Sequence, residues 1–119
     1  MPYGFAQRVV NADAASVLRA ARKRARETGL STGVTHRFPG VLGERVMPIT
    51  DGRTTGRLWV WDLAPGLSYA YLGLEDASLG AKLSTAAVRR RLNRAALRLV
   101  DALGRSPSDA VTRRLGLAA

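Results

Sequence analysis

The sequence predicts an α+β fold: a two-layer sandwich in which a mostly antiparallel sheet of about four strands is covered by two long amphipathic helices, with a short C-terminal helix closing the chain. Three observations carry that prediction. Apolar residues recur at three- and four-residue intervals in two separate stretches, as helices with one buried face require. Between them, aromatic and β-branched segments alternate around turn residues, as paired strands require. The 119 residues, 46% apolar and 24% charged, suit one domain with one core, and without cysteine that core has no disulfide or thiolate–metal support.

Residues 3–10 (Tyr-Gly-Phe-Ala-Gln-Arg-Val-Val) read as a strand. Asn11 follows as a helix N-cap, with Asp13 in the first turn. Over residues 12–28 the side chains of Ala14, Val17, Leu18, Ala21 and Ala25 form one apolar stripe, and Gly29 supplies the stop. Residues 30–56 are rich in Gly, Thr and Pro, with strand-like pieces at 34–38 and 45–50 and a turn at Asp51-Gly52. Pro48 has no N–H to give a ladder, which predicts that the second piece lies at a sheet edge.

Residues 57–63 and 67–74 are the strongest strands, joined into a hairpin through Ala64-Pro65-Gly66. A three-residue loop sets Trp61 opposite Tyr69 and Trp59 opposite Tyr71. Beyond them Leu83, Val88, Leu92, Ala95, Ala96, Leu99, Val100 and Leu103 mark the second long helix, which stops at Gly104. Ser106-Pro107-Ser108-Asp109 then opens the short closing helix. The long helices are expected to pack on the sheet through Val17, Leu18, Ala21, Val88, Leu92, Ala95, Leu99 and Leu103.

Charge is the strongest functional signal. Nineteen basic residues against nine acidic ones give +10, and seventeen of the nineteen are Arg, whose forked donors suit phosphate and carboxylate. The excess is uneven: residues 1–30 carry +4, residues 31–78 carry −1 and residues 79–119 carry +7. On the first helix Arg19, Arg22 and Arg26 form a row with Lys23 and Arg24 beside it, and Glu27 alone offsets them. On the second, Arg89, Arg90, Arg91, Arg94 and Arg98 cover the faces left by the apolar stripe. Residues 84–95 resemble the recognition helix of helix-turn-helix proteins, but residues 75–83 lack that motif's spacing and the helix runs past its usual length, so it reads as an Arg-decorated amphipathic helix.

Helices selected for solubility alone interleave signs, whereas uncompensated rows favour a polyanion, because each contacted phosphate releases counterions. The partners expected are therefore nucleic acid or acidic protein surfaces, with a homo-oligomer as a further possibility and no membrane. The first reading is a non-catalytic nucleic-acid-binding module. Its alternative is a structural subunit of a larger assembly, such as a phage head-to-tail or tail component, with the same arginines set against acidic neighbours. Trp59, Trp61, Tyr69 and Tyr71 are either core residues or, if exposed beside the Arg helices, a platform for stacking unpaired bases; bulky aromatics in a small domain favour the core.

Catalytic signatures are missing. His36, the one histidine, reads as a surface loop residue with no partner at metal-ligand spacing. Glu44, Asp51 and Asp62 are scattered, and Asp51 is better used in its turn. Neither a metal, a cofactor nor a phosphate-binding glycine loop is expected. The opening residues lack the basic start and apolar run of a secretory signal, which predicts a cytoplasmic location or an intracellularly assembled particle.

Overall fold

The computed structural model describes residues 3–39, 43–76 and 85–104. Its elements run β1 (Tyr3–Val10), α1 (Ala14–Glu27), β2 (Ser31–Thr32), β3 (His36–Arg37), β4 (Arg45–Thr50), β5 (Thr54–Ala64), β6 (Leu67–Asp76) and α2 (Thr85–Asp101). The strands form one antiparallel sheet in the order β1-β6-β5-β4-β2, with β3 also paired to β4. This corrects the expectation of about four strands covered by two long helices and a short one. The sheet has six strands, and the described helices, of 14 and 17 residues, cover one of its faces. The added strands arise where the Gly- and Thr-rich segment after α1 lies along β4: it pairs at Ser31 and Thr32, bulges, and pairs again at His36 and Arg37. The proposed helix after Ser106 lies outside the described residues.

The bulge explains Pro48. β4 is not the outermost strand, as its proline suggested, because β2 and β3 lie outside it. The Pro48 carbonyl accepts from Gly33 N–H at 2.9 Å, so the imide nitrogen faces the same side, where the ladder is interrupted. No N–H is called for there.

β1 and β2 occupy opposite edges, so α1 carries the chain across the sheet. Its N-cap is Asp13 rather than Asn11, with Ser16 N–H donating to Asp13 Oδ1 at 2.7 Å. That backbone bond, followed by the side-chain bond to the same residue, holds the Asp13 carboxyl below its usual range. A second orphan amide at this terminus, Ala14 N–H, donates to Asp62 Oδ1 at 3.0 Å, which fastens α1 to β5. Buried Ser68 donates from its hydroxyl to the Ala12 carbonyl at 2.8 Å and anchors the same turn to β6.

Strand alternation then divides the sheet. Ala6, Val10, Met47, Ile49, Leu58, Val60, Ala70, Leu72 and Leu74 face the helices and join Val17, Leu18, Ala21, Leu92, Ala96, Leu99, Val100 and Leu103 in one core. Ala95, expected in that core, is exposed, and Ala96 takes the position one residue on. Val88 is half-buried against it. Gly4 lets α2 come close to β1, since a Cβ there would lie 2.5 Å from Leu92 Cβ. The hairpin register matches expectation, with Trp61 opposite Tyr69 and Trp59 opposite Tyr71. A two-residue Pro65-Gly66 turn, with Gly66 at φ +73°, combines with a bulge at Leu63 to reach it.

Candidate functional site

Both helices lie on the aliphatic face of the sheet, and their outer surfaces carry most of the cations proposed from the sequence. Arg19, Lys23 and Arg26 are exposed on α1, as are Arg89, Arg90, Arg94 and Arg98 on α2. None of the seven forms an ion pair with a described residue. Arg19 bonds only the Ser16 hydroxyl, at 3.0 Å. The other two nominated arginines serve the fold. Half-buried Arg22 donates to the hydroxyls of Thr32 at 3.0 Å and Thr35 at 2.7 Å, clamping α1 to the β2 edge. Arg91 bonds the buried carboxylate of Asp76, which Arg53 also approaches at 3.5 Å.

The acids explain why the seven are unpaired. Of the eight described, Asp13 caps α1, Glu27 pairs with Arg24, Asp51 accepts the Arg53 and Thr54 amides of its turn, Asp62 takes Arg45 and Ala14, Asp76 takes Arg53 and Arg91, and Asp101 takes Arg8. Five are thus committed to joints and Glu27 to a pair within α1, leaving Glu44 and Glu75, neither of them on a helix. Local field on the helix layer is therefore strongly positive. Among the described residues no three metal-ligating side chains come together. Nor is any described helix long and apolar enough to cross a membrane.

Neither described helix lies on the opposite face of the sheet, and all seven aromatic residues of the chain lie on it. Tyr3 and Phe5 come from β1, Tyr69 and Tyr71 from β6, Trp59 and Trp61 from β5, and Phe38 from just beyond β3. Their rings run in near-continuous contact. Ring centroids are 6.4 Å apart for Tyr3–Phe5, 5.6 Å for Phe5–Tyr71, 5.5 Å for Trp61–Tyr69, 6.1 Å for Trp59–Trp61 and 6.1 Å for Phe38–Trp59. His36 packs edge-on against Phe38 at 4.6 Å; it is exposed as expected, but in a strand rather than a loop.

The aromatics are therefore not the core, contrary to the favoured expectation, nor do they sit beside the Arg helices. They are half-buried by one another, and Phe5, Tyr3 and Phe38 stay 48%, 39% and 39% exposed. Val46, absent from the helix-side core, is buried beneath them. The Tyr3 and Tyr71 hydroxyls bond at 2.6 Å, and Tyr69 donates to Gln7 Oε1. Burial, then the bond to Tyr71, pushes the Tyr3 phenol up to about 12, and burial raises Tyr69. A shallow cleft of about 570 Å³ opens over Gly73, between Tyr3, Tyr71, Trp59, Pro48 and Arg57.

Tyr3, Phe5, Phe38, Arg57 and Glu75 were missed as surface residues. One signal for the first two was present: β1 alternates aromatic Tyr3 and Phe5 with small Gly4 and Ala6, and the close-packed helix selects the small set. No family model matches the chain, and a search of curated proteins finds no relative.

Proposed function

We propose that the protein is a non-catalytic module that binds nucleic-acid phosphates through the outer surface of its helix layer. One observation carries the reading: Arg19, Lys23, Arg26, Arg89, Arg90, Arg94 and Arg98 are exposed on two neighbouring helices with no described acid paired to them. Phosphate contacts supply counter-charge at the least cost, because Arg forks fit phosphate oxygens and counterion release strengthens each contact. Base stacking on Trp59, Trp61, Tyr69 and Tyr71 is not part of it. Those rings lie across the sheet from the helix cations, and Arg57 is the one cation the strands set among them. Such a module works in the cytoplasm or in a particle assembled there, without a membrane.

Filter binding tests the reading. Nuclease-treated protein is expected to retain DNA or RNA at low salt and to release it steeply as salt rises. Failure to retain single- or double-stranded nucleic acid at about 20 mM salt overturns it. A second reading, a structural subunit whose Arg faces meet acidic neighbours, draws support from the open aromatic face, which a contact through the helices leaves uncovered.

A further inference from the structure

We infer that the open aromatic face is a homodimer interface, on which the same face of a second copy packs sheet against sheet. Size is the first argument. Five strand positions at about 4.8 Å and seven residues at about 3.3 Å give a patch of roughly 24 by 23 Å, near 550 Å² per copy. That is the footprint of the whole face, its polar positions Gln7, Thr55, Arg57 and Glu75 included. Two copies cover about 1,100 Å² together, just above the ~1,000 Å² minimum for a biological interface and at the size of weak, reversible contacts.

Charge is the second argument, and it selects the occupant. On a chain of net charge +10, the described residues set one cation, Arg57, and two anions, Glu75 and, opposite Phe38 at the edge, Glu44, on this face. A nucleic acid would find one phosphate partner there, and an acidic protein no better. A second copy finds what a two-fold contact requires, a surface complementary to itself: Arg57 of each copy has Glu75 of the other as its opposite charge. Relief follows the same rule. Phe5 is the most exposed aromatic, and the cleft over Gly73 lies on the same face to receive a protruding ring. Repulsion between the helix layers is least in this arrangement, because they point away from each other.

Sedimentation equilibrium of the nuclease-treated full chain at about 0.15 M salt, from ~1 to ~100 µM, tests the proposal. The wild type is expected to dimerise in that range, and more tightly as salt screens the net charge, the reverse of nucleic-acid binding. Phe5→Glu and Phe38→Glu, at exposed positions on opposite sides of the face, are each expected to weaken the dimer at least about tenfold while keeping the wild-type circular dichroism. Arg57→Glu and Glu75→Arg are each expected to be monomeric, and their equimolar mixture to form a heterodimer, because the charges then match across the two-fold axis. A wild type that stays monomeric at ~100 µM, folded Phe5→Glu and Phe38→Glu variants that dimerise normally, or a mixture no tighter than its components overturns the proposal. None of these results depends on whether the helix layer binds nucleic acid.

Discussion

Replacing Arg89, Arg90, Arg94 and Arg98 together by Gln is expected to remove more than half of the electrostatic affinity for nucleic acid and leave the fold intact. The structure sets the magnitude. Seven exposed helix-layer cations, each worth about 0.7 to 0.9 in the slope of log affinity against log salt, give a wild-type slope of roughly −5 to −6. Removing four leaves about −2 to −3, and a slope lower by about 3 amounts to roughly a thousandfold weaker binding at 0.1 M salt. Stability runs the other way. Arg90 with Arg94, and Arg94 with Arg98, are like charges four residues apart on one helix, so removing them relieves about 0.2 to 0.5 kcal/mol per pair. Fluorescence anisotropy of a labelled oligonucleotide across a salt series, with a melting curve beside it, reads both. Arg22→Gln is the control. It breaks the bonds to Thr32 and Thr35, so it is expected to lower stability while leaving most of the slope. A folded quadruple variant with the wild-type slope, or one that loses affinity at constant slope, refutes the assignment of phosphate contact to the helix layer.

Leu72→Ala, which truncates a fully buried side chain of the helix-side core, is expected to cost about 2 to 5 kcal/mol by urea denaturation. Trp61→Ala is expected to cost less and to stay folded at 25 °C, since Trp61 is half-buried on the open face; a larger loss than for Leu72→Ala would return the Trp residues to the core. Arg91→Met, which takes one of the two described cations from the buried Asp76 carboxylate, is expected to cost about 1 to 3 kcal/mol by the same measurement. Because the Tyr3 phenol ionises at about 12 in the fold and at about 10 when unfolded, its stabilisation is fully present below pH 10 and lost as pH rises through 12. Tyr3→Phe is expected to flatten that alkaline decline in a pH series of melting temperatures.

What was legible in the sequence is what local periodicity controls. The limits of β1, the apolar stripes of both helices, the Asp51-Gly52 turn and the Trp61–Tyr69 register all follow from spacing within one segment or one hairpin. What was not legible depends on partners far along the chain. The helix begins at Asp13 and not at Asn11 because Asp62, 48 residues from Ala14, holds the first helical amide. Pro48 was read correctly as needing an unladdered side, but a bulge in the neighbouring segment supplies it without making β4 the edge. The side the aromatics take is decided by β1, which enters beside β6 across the whole chain and turns Gly4 and Ala6 toward α2. Composition counted the cations, but only the hydrogen bonds of Arg22 to two threonines and the ion pair of Arg91 with Asp76 distinguish these two, held by the fold, from the seven left on the surface.

The two surfaces have one cause. A chain with nine acids and nineteen bases has few anions to place, and the fold places five of the described ones at joints: a helix cap, a turn, and the contacts between helices and strands. Each joint neutralises the cations beside it, so the uncompensated ones collect where the helices meet solvent. Among the described residues the sheet's aromatic face carries few charges, Arg57, Glu44 and Glu75, and offers a broad surface on which two such positive molecules can approach. On the two proposals taken together, the charge segregation that would serve phosphates on the helix layer would also orient the proposed dimer. With sheets paired as proposed, the helix layers would lie on opposite outer surfaces, and the proposed phosphate-binding module would become divalent, able to hold two nucleic-acid segments at once.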